Sequence, residues 1–333
     1  MKNNLVAIDS CVFFKMLGPC QVYKNYGEDG FRSFERAAQR RINQSLEEIR
    51  NLIPEQFFVK GLSIEQVHFN FSQWVNSKTG EGMRERLVNK KKGVTYIQNG
   101  ELKTRFLTPE QIAEIDKQIA EFDKFSRIKQ QENAIFNELK NQLDTYAAIT
   151  LFRRILKGEV TVTLPTMVAR EVKNHVETEE NKNKPHHKTF DPVHVYDLLK
   201  LCNITIIEDE TLKQKIKDVA EEYRVRRAMQ WDKNSLNEYG DSQIMAECSI
   251  LGLVLLSFNE KDFIINKKVS QFNSVRRAKI AEIDEDLGLV GGKALSPTDY
   301  LQDNYDYVAL SDEYKLTFVE EEDKQSHFDS LNQ

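Results

Sequence analysis

Residues 5–10 read LVAIDS, a short apolar run that ends at a carboxylate, and this segment decides the fold class. A continuous apolar run of this kind is typical of a strand that is buried on both faces of a parallel sheet. Similar runs recur at 160–164, 204–207 and 253–256, and helical stretches lie at 142–157, 166–177, 210–231 and 240–251. This alternation predicts an α/β domain in which helices flank a parallel sheet.

The stretch from 24 to 140 interrupts this alternation, because it contains no run typical of a buried strand. Two long helices are predicted at 31–53 and 108–143, and Thr108 and Pro109 provide the N-cap and first turn of the second. Between them, strand-like segments at 94–98 and 101–107 flank Asn99-Gly100, a strong hairpin signal. We therefore predict a discontinuous α/β domain at 1–23 and 141–302, a mainly helical insertion with a β-hairpin at 24–140, and an acidic tail at 303–333.

The composition excludes several classes of protein. The 333 residues are 40% hydrophobic and 30% charged with a net charge of -5, so the chain is neither a polycation nor an acidic disordered protein. Four scattered cysteines without a C-x-x-C pair suit a reducing compartment and argue against structural zinc. No apolar run approaches the roughly 20 residues that span a bilayer, and no signal-peptide cleavage site follows the N-terminus. We expect a cytoplasmic protein with no membrane segment.

Four acidic residues occupy positions where an acid is a poor choice for folding alone. Asp9 and the residues after the fourth apolar run also lie at the carboxyl ends of strands, where parallel sheets bind ligands. Asp9 follows the first strand, Glu171 lies on the helix after the second, Asp241 opens a later helix, and Asp262 follows the fourth strand. Each has an ordinary interpretation, such as an N-cap for Asp241, but a carboxylate like Asp9 at the end of a buried strand is costly unless paired or metal-bound. Clustered carboxylates repel one another without a cation, and Mg²⁺ and Mn²⁺ prefer oxygen ligands. The sequence therefore predicts a divalent-metal site.

The segments around these acids resemble a known family. Segments 7–10 (AIDS), 165–172 (PTMVAREV), 240–246 (GDSQIMA) and 255–263 (LLSFNEKDF) look like the four signature segments of PIN-domain ribonucleases, in the same order. Residues 293–301 also resemble the closing strand and helix start of that fold. The resemblance implies a PIN-like fold and a Mg²⁺- or Mn²⁺-dependent endoribonuclease.

The resemblance also implies roles for individual residues. Asp9, Glu171 and Asp241 match the three firm acidic positions of the family. Either Asn259 or Asp262 would fill the fourth position, and we prefer Asp262 because it keeps the charge. Ser10 and Ser257 match the small hydroxyl positions that line the site.

A basic stretch in the insertion is the best candidate for a contact with nucleic acid. Aromatic side chains, Tyr96 and Phe106, accompany it and offer surfaces for base stacking. The cations are Lys90, Lys91, Lys92, Lys103 and Arg105. An ordinary solvated face is the alternative interpretation of this stretch.

Three functions are compatible with these observations. The first is a metal-dependent nuclease that hydrolyses phosphodiester bonds in RNA, with DNA open as the alternative, by in-line attack of a metal-activated water. In it, Asp9 and Asp241 are the chief metal ligands, and Glu171 and Asp262 are further ligands or position the water. The second is a catalytically inactive PIN-like scaffold that binds RNA or protein, which the presence of all four acids disfavours. The third, a phosphatase of the haloacid-dehalogenase type, requires an Asp where Cys11 stands.

The biological role stays open at this stage. Members of the resembling family are often toxins paired with an antitoxin, and dimers are common among them. The length of this chain and its insertion keep RNA processing, defence and repair open as well. An antitoxin or another regulatory protein, and a second copy of the chain, are therefore the partners that we consider besides RNA.

Overall fold

The structure is a computed structural model, and it describes residues 5–58, 64–80, 82–98, 101–177, 192–230, 239–259, 263, 282, 285–286, 293–305 and 307. In chain order, the elements are β1 (Leu5–Ile8), α1 (Ser10–Leu52), a 3-10 helix (Glu55–Phe57), α2 (Ile64–Lys78), α3 (Met83–Lys91), β2 (Val94–Gln98), β3 (Glu101–Arg105), α4 (Pro109–Leu156), β4 (Thr161–Leu164), α5 (Thr166–Glu177), α6 (Pro192–Leu199), β5 (Asn203–Ile204), α7 (Glu210–Gln230), α8 (Tyr239–Leu251), β6 (Val254–Leu256), β7 (Lys293–Leu295) and α9 (Pro297–Asn304).

The chain divides into two compact units. The first contains the described parts of Met1–Arg41 and Asn141–Ala309. The second contains the described parts of Ile42–Lys140.

A five-stranded parallel sheet forms the centre of the first unit, so the predicted mixed α/β architecture is confirmed. The strands lie in the order β5-β4-β1-β6-β7, and every neighbouring pair is parallel. In β1, Val6 lies opposite Val162 on one side and Val254 on the other. The side chains from Val6 to Ile8 are at most 2% exposed, which explains why this run shows no alternation of polar and apolar residues.

Two sequence predictions for this unit need correction. The run at 204–207 forms a strand only at Asn203–Ile204, and Ile206 is 78% exposed. Helix α6 was not predicted, because its segment is only eight residues long and follows a polar, histidine-containing stretch. His194 lies buried on this helix.

Helix α1 begins at Ser10, well before the helix predicted at 31–53. It is two helical segments joined at Gly27, whose backbone has φ 63° and ψ -161°. A positive φ of this size favours glycine, because a Cβ would meet the following carbonyl. The two segments share one core: the Phe31 ring lies 6.0 Å from Tyr23 and 5.8 Å from Phe152 of α4.

The second unit is mainly helical and carries the predicted hairpin. Strands β2 and β3 pair antiparallel from Val94 opposite Arg105 to Gln98 opposite Glu101, as the turn signal predicted. Helix α4 continues without a break through the two segments predicted at 108–143 and 142–157. An aromatic cluster packs in this unit, with Trp74 at 5.6 Å from Phe57, 5.8 Å from Phe71 and 5.2 Å from Phe125.

One carboxylate is fully buried in this helical unit. The Glu132 side chain has no exposed surface, and its Oε1 lies 3.3 Å from Nε2 of His68. The His68 ring stacks on Phe136 at 3.9 Å between ring centroids. Burial raises the pKa of Glu132 from 4.5 to about 7, and the nearby charge of Lys129 opposes this shift. Glu132 is therefore about half protonated near neutral pH.

The described helices include none that is long and apolar enough to cross a membrane.

Candidate functional site

The strand order creates a switch point beside β1, where the chain stops adding strands on one side of β1 and begins to add them on the other. From β1 the chain adds β4 and then β5 on one side, and afterwards β6 and β7 on the other. Ligands of open α/β sheets bind at the carboxyl ends of the strands at such a switch point. Asp9 follows β1 and Ser257 follows β6, so these two predicted site residues lie at the switch point.

Asp9 is buried there, 5% exposed, and its carboxylate is held by neutral donors. Its Oδ1 accepts a hydrogen bond of 2.7 Å from the Ser10 backbone N–H. Its Oδ2 accepts hydrogen bonds from the Ser257 hydroxyl at 2.8 Å and from the Cys11 thiol at 2.9 Å. The Asp9 backbone N–H donates to the Leu256 carbonyl at 2.9 Å, which ties the end of β1 to the end of β6.

The segment after β6 folds against the first turn of α1. Ser257 is fully buried, and its hydroxyl oxygen accepts a 2.9 Å hydrogen bond from the Asn259 backbone N–H while it donates to Asp9. The Phe258 backbone N–H lies 3.2 Å from the Cys11 sulfur. The predicted lining residues Ser257 and Asn259 therefore belong to the network that holds Asp9.

Cys11 is a site residue that the sequence analysis did not identify. Burial, together with the adjacent Asp9 carboxylate, raises the pKa of its thiol to about 12. The sulfur is therefore protonated at neutral pH and donates a hydrogen bond, whereas a nucleophile would require the thiolate. Its position two residues after Asp9, at the start of a helix, was the only available signal in the sequence.

Glu171 lies close to Asp9, on helix α5, which follows β4, the strand next to β1. It is half-buried on α5, and burial raises the pKa of its carboxyl, with a further contribution from the negative charge of Asp9. A hydrogen bond from the Ser10 side chain opposes this shift. The Ser10 hydroxyl also lies 3.4 Å from Asp9 Oδ1, so Ser10 lies between the two acids.

Asp241 comes from a third element, α8. A Cβ at the preceding residue, Gly240, would lie 3.5 Å from Glu171 Oε1. Asp241 occupies the first turn of α8 and is partly buried. The chain therefore brings Asp9, Glu171 and the start of α8 to one region. Asp262 lies outside the described residues.

Glu247 is a second residue that the sequence analysis missed. It is 1% exposed on α8, and its two oxygens accept from the Thr166 backbone N–H at 2.9 and 3.1 Å. Burial raises the pKa of Glu247, and hydrogen bonds from Thr166 and Thr205 oppose the shift. Because Thr166 begins α5, Glu247 fixes the helix that carries Glu171. An acid within the apolar segment after Asp241 was the sign in the sequence.

The hydrogen bonds that Asp9 already accepts determine how much capacity its carboxylate keeps for a cation. Oδ2 already accepts two short hydrogen bonds, whereas Oδ1 accepts one short bond and one long contact, both from Ser10. A carboxylate oxygen has two lone pairs, so Oδ1 keeps capacity for one ligand besides its short bond from Ser10. One monodentate carboxylate oxygen beside a second carboxylate suits Mg²⁺ or Mn²⁺, which keeps most of its waters. Among the described residues, however, no three His, Cys, Asp or Glu side chains are grouped closely enough to hold a metal ion.

The basic residues predicted to contact nucleic acid lie in the second unit. Lys91 forms an ion pair with Asp116, at 2.6 Å between Nζ and Oδ1. Within the part of the chain that the structure describes, the other four have no acidic partner: Lys90, Lys92, Lys103 and Arg105. They are exposed, and so is Phe106, at 78%. The Tyr96 side chain lies outside what the structure describes.

Comparison with protein-family models finds no match for this chain, and neither the curated proteins nor the solved structures contain one. A functional assignment therefore depends on the geometry of the site and on the segments around it.

Proposed function

We propose that this protein is a divalent-metal-dependent endonuclease of the PIN type that hydrolyses phosphodiester bonds in RNA. One observation carries the proposal. Asp9 is buried at the switch point of a parallel sheet, its carboxylate is held only by neutral donors, and Glu171 lies close enough for the charge of Asp9 to raise its pKa. Two carboxylates without a counterion repel each other, and a divalent cation would remove that repulsion.

The residues of this chain would divide the work as follows. Asp9 would bind Mg²⁺ or Mn²⁺ through Oδ1, with Glu171 and Asp241 as further ligands, directly or through water. The bound cation would supply charge neutralisation for the phosphodiester and a water of lowered pKa. Cys11 and Ser257 hold Oδ2, so they would fix the orientation of Asp9. Asp262 joins the proposed set on its place in the sequence.

Glu171 is the best candidate for a proton acceptor. Its pKa is raised by burial and by Asp9, so its carboxylate is more basic than that of an exposed glutamate. A proton taken from the attacking water would come to rest on this carboxylate. The hydroxyl of Ser10, which hydrogen bonds to Glu171, would hold the carboxylate in position for this transfer.

The alternative is a catalytically inactive PIN-like scaffold that binds RNA or protein. The observation that favours it is that no three metal-ligating side chains converge among the residues that the structure describes. In either case the four cysteines are free, which supports a reducing compartment such as the cytoplasm. Binding of a regulatory protein or of a second copy is compatible with both functions.

The proposal is tested by incubating the purified protein with labelled single-stranded RNA or DNA in Mn²⁺, in Mg²⁺ or in EDTA. Asp9→Asn, Glu171→Gln, Asp241→Asn and Asp262→Asn are compared with Asp218→Asn, which changes an exposed acid on α7. We expect cleavage of RNA that requires metal, is lost in Asp9→Asn and persists in Asp218→Asn. No cleavage under any condition, with RNA binding unchanged in Asp9→Asn, would establish the scaffold instead.

A further inference from the structure

A cleft opens on the first unit beside the candidate site. It has a volume of about 570 Å³, and it lies between α5, α6 and the edge strand β5. We call it the α5–α6 cleft, and its chief lining residues are Arg170, Lys173, Asn174, Tyr196, Leu199 and Ile204. A volume of this size is within the range of ligand sites in proteins.

The two charged residues that line the cleft, Arg170 and Lys173, are both positive. Arg170 and Lys173 are exposed on α5. Neither has an acidic partner among the residues that the structure describes. Exposed basic residues on helices usually find acidic neighbours, as Arg224 does with Glu221 on α7. A polyanion would supply negative charges to pair with Arg170 and Lys173.

The opposite wall offers an aromatic surface. Tyr196 is 47% exposed, and Ile204 below it is 50% exposed. A large aromatic ring that faces solvent next to two cations matches what a single-stranded nucleic acid requires, since its bases stack on aromatic rings and its phosphates pair with cations. A purely apolar partner would leave both cations unused.

The cleft and the candidate site share one helix. Arg170 directly precedes Glu171 in α5, and Asn174 follows Glu171 by one turn, about 4.5 Å along the helix axis. A strand with its scissile phosphate at Glu171 would therefore place an adjoining nucleotide at the mouth of the cleft.

We propose that the α5–α6 cleft binds the single-stranded RNA segment next to the scissile phosphate, with Arg170 and Lys173 on phosphates and a base stacked on Tyr196. This inference rests on the proposed nuclease function for its substrate. In it, Arg170, Lys173 and Tyr196 act in binding, whereas the carboxylates act in cleavage.

The test is equilibrium binding of a short fluorescein-labelled single-stranded RNA, followed by anisotropy at several salt concentrations, with every variant built on Asp9→Asn so that the RNA stays intact. Arg170→Ala/Lys173→Ala is compared with Lys215→Ala/Lys217→Ala, which removes two exposed lysines from α7. We expect the first double variant to weaken binding and to reduce the slope of log Kd against log salt by about 1.4, two phosphate contacts at roughly 0.7 each. The control should leave both quantities unchanged.

Tyr196→Ala and Tyr196→Phe separate stacking from charge. We expect Tyr196→Ala to raise Kd by roughly 5- to 150-fold with little change in the salt slope, whereas Tyr196→Phe should bind like the parent. A salt slope that does not differ between the two double variants would overturn the proposal. So would a dimer seen by sedimentation that Tyr196→Ala disrupts while RNA binding is unchanged, because the cleft would then be a protein interface.

The two proposals fail independently. Cleavage by the native protein together with an unaltered salt slope would leave the nuclease standing and refute the cleft. A reduced salt slope without any cleavage would leave the cleft standing and refute the nuclease.

Discussion

Replacing Glu132 by Gln should stabilise the helical unit at alkaline pH. Glu132 has no exposed surface, and burial raises its pKa from 4.5 to about 7. At about 1.4 kcal/mol for each pH unit, ionising this buried carboxyl costs about 3 kcal/mol. Gln has nearly the same shape and carries no charge, so it removes this cost.

The sign of the effect follows from which state holds the proton. Below pH 4.5 the carboxyl is protonated in both the folded and the unfolded chain, so it contributes no penalty. Between pH 4.5 and about 7 the unfolded chain loses this proton first, so the native protein loses stability as pH rises. Above about pH 7 the penalty is complete and constant. The charge of Lys129 on α4 opposes the shift without reversing it, and Nε2 of His68 on α2 lies 3.3 Å from the carboxyl oxygen.

The measurement is urea unfolding followed by tryptophan fluorescence at pH 5, 6, 7 and 8. Both proteins carry Trp231→Phe, so that Trp74, which lies in the aromatic cluster of the helical unit, is the only reporter. Glu121→Gln, an exposed position on α4, is the matched control. We expect the free energy of unfolding of Glu132→Gln to exceed that of the parent by about 3 kcal/mol at pH 8 and by less than about 1 kcal/mol at pH 5. A variant that is less stable than the parent at every pH would refute the reasoning and identify an ion pair with His68.

Three further predictions concern the candidate site. Ser257→Ala should lower the free energy of unfolding by about 1 to 3 kcal/mol in thermal or urea melts, because a buried Asp9 oxygen and the Asn259 N–H lose a partner. The control Ser77→Ala, at an exposed position, should change the free energy of unfolding by less than about 0.5 kcal/mol. Equal losses in the two variants would contradict the hydrogen-bond network around Asp9. A disulfide reagent at pH 8 should react slowly with the native protein and fully in urea, because burial raises the pKa of all four thiols. The pKa is about 12 for Cys11, about 11 for Cys20 and about 12 for Cys202, and burial raises that of Cys248 well above its usual value. Rapid reaction of even one native thiol would contradict this prediction. In the metal-free protein the Glu171 carboxyl should titrate above 4.5 by NMR, because burial and the charge of Asp9 raise its pKa, and added Mg²⁺ or Mn²⁺ should lower that pKa; a carboxyl that titrates at or below 4.5 without metal would contradict the closeness of the two acids.

The part of the fold that could be predicted is the part that local patterns encode. The apolar runs at 5–8, 160–164 and 253–256 contain strands whose side chains are mostly buried, apart from their first residues, and the Asn99-Gly100 signal lies between paired strands. Element ends were harder to predict. The segment at 204–207 has strand-forming residues but lies at the sheet edge, where only Asn203–Ile204 pairs with β4.

The candidate site shows the same division. Asp9 could be singled out because a carboxylate after a buried strand is costly, whereas Ser257 and Asn259 came from the family resemblance of the segment after the fourth apolar run. Cys11 and Glu247 could not be found this way. Their roles come from hydrogen bonds to Asp9 within a buried network and to Thr166, which is 81 residues away in sequence. Periodicity records which face of an element is buried, but it contains no information about such distant partners.

The shortness of β5 has a consequence for how copies of this protein behave at high concentration. An edge strand exposes backbone donors and acceptors that can pair with a strand of another chain, and such pairing is a common route to aggregates. With only Asn203–Ile204 in extended pairing, β5 offers an incoming strand too few backbone groups to hold it. Ile204 in β5 and the neighbouring Ile206 are therefore open to solvent without turning the sheet into a template for fibrils.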